Sequence, residues 1–319
     1  MIRTNYYNCL EMLIADILHD NQIDYLKLFS ESGLLYFRNS SFNAESNLNV
    51  SAYSSYYDLR LKEFYGINMS SEIFDSIEKY QIEITKNIAK KNFIIKLDNF
   101  FLPYSKAFQK KHMVHALRII AENCDEYLVC DNYYGYKDWL RKDTILKGIE
   151  EYKKLPLKNS FGPFLIFDLC FENSKNISEK DIVTKNFRLM TEESAYCVEG
   201  YFNDLDKYVG VSAIKKMKED FNNQLHKKDY FSIEELTEVA MTIQRSRRQA
   251  SDYFNKINVL ELKNAYYQCY SSWSIVAILL MKIYVRKTCS TLEIDRINLQ
   301  YNIILTKEKD LINALRNKQ

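Results

Sequence analysis

Seven glycines and three prolines among 319 residues are too few to punctuate a many-turned all-β chain. That scarcity favours long helices, and apolar spacing supports them over much of the sequence. Residues 1–91 read as helical, with a polar Asn/Ser/Tyr stretch from Asn39 to Tyr57 between helices. Ser70-Ser71-Glu72 reads as the start of a later helix whose apolar stripe is Ile73, Ile77, Tyr80 and Ile84. From about residue 92 the texture changes to short extended runs: Asn92 to Phe101, Met113 to Ala121, Glu126 to Asp131 and Phe164 to Phe171. Pro103, Gly135, Pro156, Gly162 and Pro163 lie in the segments that bound them. An antiparallel sheet is expected there. After Asn173 the chain returns to helices, with Ser178 and Ser232 as capped starts and Tyr266 to Arg286 as the central apolar helix of a bundle. The expectation is an α+β protein, with residues 1–173 as one region and a helical region, 174–319, packed on it.

Composition removes several function classes. There is no G-x-G-x-x-G and no G-K-[ST], so folds that cradle phosphate on glycine loops are not expected. The formal net charge of +2 does not suit general nucleic-acid binding. The clusters Arg245/Arg247/Arg248 and Lys215/Lys216/Lys218 read as solvated helix faces. The run Ile275 to Val285 is too short to span a bilayer and is interrupted by Lys282. Seven cysteines with no C-x-x-C and no secretory segment suggest reduced thiols in a cytoplasmic protein. No Cys/His grouping has zinc spacing, so neither a metal nor a cofactor of its own is expected.

One cysteine stands out by position. Cys9 begins an amphipathic helix whose Leu10, Leu13, Ile14, Ile17 and Leu18 recur at helical spacing. A helix N-terminus favours thiolate over thiol, and the thiolate is the nucleophile. A free cysteine there also serves simply as a small core residue. What strengthens the chemical reading is the hairpin formed by Met113–Ala121 and Glu126–Asp131. Counting outward from Asn123 sets His115 level with Asp131, to within one residue of register, at cross-strand distance. Asp131 would orient His115, whose other ring nitrogen would take the Cys9 proton. A nucleophile on a helix N-terminus, with base and orienter on strands, is a papain-type layout. His112 is a rival base that reads as loop or solvent-facing, and His19 and His226 read as surface residues. For the oxyanion hole, the Cys9 backbone N–H is the default donor. Asn5 or Asn8 could supply the second, with Asn8 preferred.

These residues carry a resemblance. Tyr7-Asn8-Cys9-Leu10-Glu11, then Leu97-Asp98-Asn99-Phe100-Phe101-Leu102-Pro103-Tyr104, then His115 in an apolar strand and Asp131 after the turn resemble the N-terminal domain of butirosin biosynthesis protein H. The similarity spans roughly residues 1–170, and more loosely the helical remainder containing Trp273. It implies a papain-like acyltransferase fold with a Cys9–His115–Asp131 triad. It also implies that an acyl chain, of β-alanine type in some members, leaves the phosphopantetheine thioester of a carrier protein and passes to an amine or diamine as an amide. Many family members have a histidine where this chain has Asn8. The competing expectations are a cysteine peptidase or amidase of the same fold, and a non-catalytic scaffold that binds a partner.

Overall fold

A computed structural model describes residues 6–38, 48–90, 92–155, 162–169, 177–196 and 206–319. In chain order the elements begin with α1 (Cys9–Asp20), β1 (Leu35–Arg38), β2 (Leu48–Ser51), α2 (Tyr57–Tyr65), β3 (Asn68–Glu72) and α3 (Ile77–Ile88). Next come β4 (Phe93–Asp98), β5 (Val114–Glu122), β6 (Glu126–Asp131), β7 (Tyr136–Arg141), α4 (Lys142–Tyr152) and β8 (Phe164–Asp168). The rest is α5 (Glu179–Thr191), β9 (Lys207–Val209), α6 (Val211–Lys227), α7 (Tyr230–Lys256), α8 (Leu260–Arg286) and α9 (Thr291–Asn317). The protein is α+β, with two antiparallel sheets and a C-terminal helical region.

The chain divides into two compact units, Met1–Tyr25 with Tyr57–Lys175, and Leu26–Tyr56 with Asn176–Gln319. The division after Lys175 lies close to the boundary expected at 173/174. Residues 26–56, however, cluster with the later helices instead of with the sequence around them.

The first unit is built on a six-stranded sheet in the order β3-β8-β4-β5-β6-β7. Phe93, Ile95 and Leu97 of β4 and Leu117 and Ile119 of β5 form its core with Tyr80 and Ile84 of α3 and Ile145 and Ile149 of α4. Alternate residues of a strand share a face, which is why one set of odd-numbered side chains reaches this core. Helix α1 is tied to β5 by Arg118, whose Nη1 donates to Asp16 Oδ2 at 3.0 Å and to Asp20 Oδ2 at 2.9 Å.

The expected strands match β4, β5, β6 and β8, although β8 is described only as Phe164–Asp168, because Phe171 lies outside the described residues. Three features differ from expectation. Ser70-Ser71-Glu72 belongs to strand β3, paired with Phe164–Ile166, and the next helix begins at Ile77 on the cap Ser76. Residues 1–91 therefore hold strands as well as helices. The segment Tyr136–Arg141, too polar to show as a strand by composition, forms the edge strand β7, and its exposed Lys137 and Asp138 suit an unpaired edge.

The second unit contains the sheet β2-β1-β9 and the long helices α6 to α9. The Ser178 capping box is present, but α7 starts at Tyr230 on the cap Asp229, with Ser232 inside its first turn. By length and composition alone α8 would pass as a membrane span; Tyr266, Cys269, Trp273, Val276, Leu280 and Ile283 on it are buried within the protein. Arg247, expected on a solvated face, is fully buried. Its Nε and Nη2 meet Glu308 Oε1 and Oε2 at 3.0 and 3.1 Å. Lysines 215, 216 and 218 do lie at the helix surface, half-buried or exposed.

Candidate active site

Helix α1 starts at Cys9 because Asn8 caps it. Asn8 Oδ1 accepts from Glu11 N–H at 2.8 Å, and Glu11 Oε2 accepts from Asn8 N–H at 2.8 Å, a reciprocal capping box. Tyr57 Oη donates to Glu11 Oε1 at 2.8 Å and holds the box from outside the helix. Cys9 and Leu10 are thus the first two helical residues, whose N–H groups have no acceptor within the helix and point out of its end. Asn8 adjoins Cys9, with its side-chain oxygen engaged as the cap. Asn5 lies outside the described residues.

His115 sits on β5, an interior strand, directly opposite Leu97 of β4. Its Nε2 is 2.6 Å from Asp131 Oδ2, and both side chains are buried. The two residues meet as expected, but by a different register. The ladder pairs Arg118 with Cys130 and Ile119 with Val129, then breaks between Ile119 and Ala121 in a β-bulge. One further step along that ladder would bring Asp131 level with Leu117, two residues from His115. Side chains two apart on a strand share a face, so the contact is diagonal, within reach of an imidazole and a carboxylate. Counting from the turn missed this because neither the bulge nor the first paired residue of the turn is visible in composition.

The carboxylate of Asp131 is saturated. Oδ2 also accepts from Tyr104 Oη at 2.9 Å, while Oδ1 accepts from the backbone N–H groups of Tyr133 and Tyr134 at 3.1 and 3.3 Å. The last two bonds form an Asx-type turn, closed by Gly135 at φ 65°, a conformation that glycine adopts without a Cβ penalty. Aromatic rings enclose the pair. Tyr104 stacks on Tyr136 at 3.8 Å, and Tyr134 and Tyr133 lie 5.1 and 5.8 Å from the His115 ring. Asn99 Nδ2 donates to Tyr134 Oη at 2.9 Å. The run from Asp98 to Tyr104 therefore buttresses Asp131. Burial, aided by the adjacent Asp131 charge, pushes the Tyr104 phenol far up, so it stays a donor.

With Nε2 on Asp131, the remaining nitrogen of His115, Nδ1, is the one available to Cys9. Cys9 is half-buried, and its thiol is coupled electrostatically to His115. Burial, the largest single influence, opposes its thiolate. The imidazolium charge, with smaller contributions from His115 and the Ala116 backbone as donors, outweighs burial, and the thiol is held below its ordinary range. His115 responds in the opposite direction. Burial disfavours its imidazolium, but the Cys9 thiolate and the bond to Asp131 raise it to about 10. The two shifts describe one thiolate–imidazolium pair.

The other histidines are placed as expected. His112 is in a loop, stacked on Phe100 with Nδ1 2.5 Å from Asp98 Oδ2, and His19 and His226 are exposed. Two features went unread in the sequence. One is the tyrosine cage, whose signal was the Tyr-Tyr-Gly after Asp131. The other is Lys96, a lone cation inside the apolar run Phe93–Leu97, only 5 % exposed. Burial lowers its ammonium to about 8, and the Cys9 thiolate opposes that shift. Among the described residues no group of three or more His, Cys, Asp or Glu side chains could hold a metal ion. Compared with protein-family models and with curated proteins, the chain finds no match.

Proposed function

We propose that the protein is a papain-like acyltransferase that forms amide bonds through an acyl-Cys9 intermediate. The observation that carries the reading is the buried His115–Asp131 pair, coupled electrostatically to a cysteine at a helix N-terminus. Thiolate attack on a thioester carbonyl forms the C–S bond and a tetrahedral oxyanion. Collapse breaks the C–S bond to the donor's thiol, whose sulfur leaves with the proton from His115. An amine then attacks acyl-Cys9, passes its proton to His115, and releases the Cys9 thiolate. The N–H groups of Cys9 and Leu10 would be the donors to that oxyanion, with Asn8 as a further candidate.

The acyl donor in this proposal is the phosphopantetheine thioester of an acyl-loaded carrier protein, and the acceptor a small amine or diamine. That assignment rests on the resemblance to the butirosin biosynthesis protein H domain. It rests also on a likeness to the amide-forming cysteine-protease homologue of the closthioamide pathway. Exchange between thioesters is nearly balanced, and the amide makes the second step downhill. The tyrosines around His115 favour an acceptor other than water, because a poorly hydrated site slows hydrolysis of the intermediate.

Intact-protein mass spectrometry tests this. Mixing with acyl-loaded carrier should add the acyl mass to the wild type and none to Cys9→Ala, and an amine should discharge it. Adducts formed equally on Cys9→Ala would refute the acyl-Cys9 intermediate. Cleavage of peptides with no carrier-dependent adduct would favour the peptidase alternative, and no chemistry of either kind the scaffold.

A further inference from the structure

We propose that the outer side of the loop between β4 and β5 is the docking surface for the acyl donor, and that its partner is an acidic carrier protein with a phosphate-linked thiol arm. This rests on the acyltransferase reading. The loop runs from Asn99 to Met113 and is closed at its base. Asn99 N–H donates to the Met113 carbonyl at 2.8 Å, and Met113 N–H donates to Asp98 Oδ1 at 3.1 Å. A surface loop with joined ends and its own packed side chains has an inner and an outer side. Inward, Leu102, Ser105 and Ala107 are buried, Tyr104 donates to Asp131, and Asn99 and Ser105 donate to the Tyr134 hydroxyl. Outward, Lys106, Lys110, Lys111 and His112 are exposed.

The charge on the outer side is unopposed. No aspartate or glutamate occurs from Asn99 to Ala121. Asp98, beneath His112, is fully buried and engaged by the His112 ring and by the N–H groups of Phe100 and Met113. Among the described residues none of the three lysines has an ion-pair partner. By contrast Lys79, Lys86 and Lys154, on the surface of the same unit, each meet a carboxylate three or four residues away. A patch of one sign steers and orients a partner of the other sign. Three features favour a protein bearing such an arm over nucleic acid. The chain's net charge is only +2, too small for tracking a polyanion. Met113 and Val114, which continue from the lysines to His115, and Tyr133, whose ring lies against His115, are exposed, and methionine and tyrosine are enriched at protein interfaces. Finally, Lys111 precedes His115 by four residues, a separation of at most about 14 Å. A pantetheine chain anchored by its phosphate at the lysines spans that distance. The loop that supports Asp131 from within thus seats the donor from without.

The test compares two donors for Cys9 in the full-length protein: a β-alanyl-loaded acidic carrier protein, and β-alanyl-pantetheine, which lacks both carrier and phosphate. Changing Lys106, Lys110 and Lys111 together to Glu should slow acylation by the carrier at least about tenfold at low salt, and leave the pantetheine rate within about twofold. Gln at the same three positions should slow the carrier reaction about threefold. Added salt should slow the carrier reaction of the wild type and not that of the Glu variant. Lys215, Lys227 and Lys309, exposed lysines of the second unit, changed together to Glu make the same change in net charge and should leave both rates as in wild type. Site-resolved alkylation of Cys9 by iodoacetamide across pH, read by peptide mass spectrometry, should give one profile for the wild type and the loop variants. Equal losses with the two donors, or an equal loss in the second-unit variant, would overturn the inference. So would tighter binding of a single-stranded RNA than of the carrier through these lysines. If neither donor acylates wild-type Cys9, the acyltransferase reading fails by itself. Binding of the loaded carrier to Cys9→Ala, read by fluorescence anisotropy, then decides the docking surface, and an affinity unchanged by the three Glu substitutions would refute it.

Discussion

Each unit buries a charged network, and the two are built to opposite ends. In the second unit Arg247 and Glu308 are both fully buried and joined by two parallel hydrogen bonds. Trp273 Nε1 donates to Glu308 Oε1 at 2.7 Å, and Arg247 Nη1 reaches Ser32 Oγ at 2.6 Å and the carbonyls of Ser32 and Gly33 at 3.0 Å. That network is closed, tying α7, α8, α9 and the Ser32–Gly33 segment with nothing left to react. In the first unit Asp131 is equally well satisfied, but its bonds lead to an imidazole coupled to a half-buried cysteine at a helix terminus. The polar residue types overlap; what differs is the last member. A network ending on a fixed guanidinium stabilises one geometry, whereas one ending beside a cysteine would, on the proposed function, keep a nucleophile next to its proton carrier.

Substitutions should separate the two roles, and the largest effect is expected at Asp131. Asp131→Asn keeps the shape but removes the charge that supports the imidazolium, and should lower acyl transfer by about 10⁴-fold. A loss below tenfold would remove Asp131 from the machinery. Glu308→Gln strands a buried guanidinium and should cost about 3–5 kcal/mol in denaturant unfolding. The folded fraction should keep its Cys9 alkylation profile, and a shifted profile would break the division of roles. Tyr104→Phe removes one donor from Asp131 and should cost about 1–2 kcal/mol, seen as a roughly tenfold loss of transfer rate. An unchanged rate would make Tyr104 packing only.

Much of the first unit was legible because local sequence determines it. Cys9 at a helix start follows from the apolar spacing and from the Asn8–Glu11 box, and β4, β5, β6 and β8 follow from dense β-branched and aromatic residues. The His115–Asp131 contact was legible as an expectation of proximity and wrong in register, because the bulge at Ile119/Ala121 has no compositional mark. Ser70-Ser71-Glu72 carries a helix-start signature, yet pairing with β8 places it in a strand, a tertiary override of local preference. The burial of Arg247 could not be read at all, since its partner Glu308 lies 61 residues away. The same holds for residues 26–56, whose membership of the second unit depends on long-range pairing of β1 with β9.

The capping box on α1 closes over three residues, whereas His115, the base proposed for Cys9, lies 106 positions further along the chain (115 − 9). Contacts of such different sequence separation carry different loop-closure entropies, so the helix end is the more readily ordered of the two. During refolding the cysteine would therefore be seated before its proposed base is in place. Alkylation at mildly acidic pH would then serve as a clock for completion of the β4–β5–β6 ladder, read from the protein's own thiol with no added label.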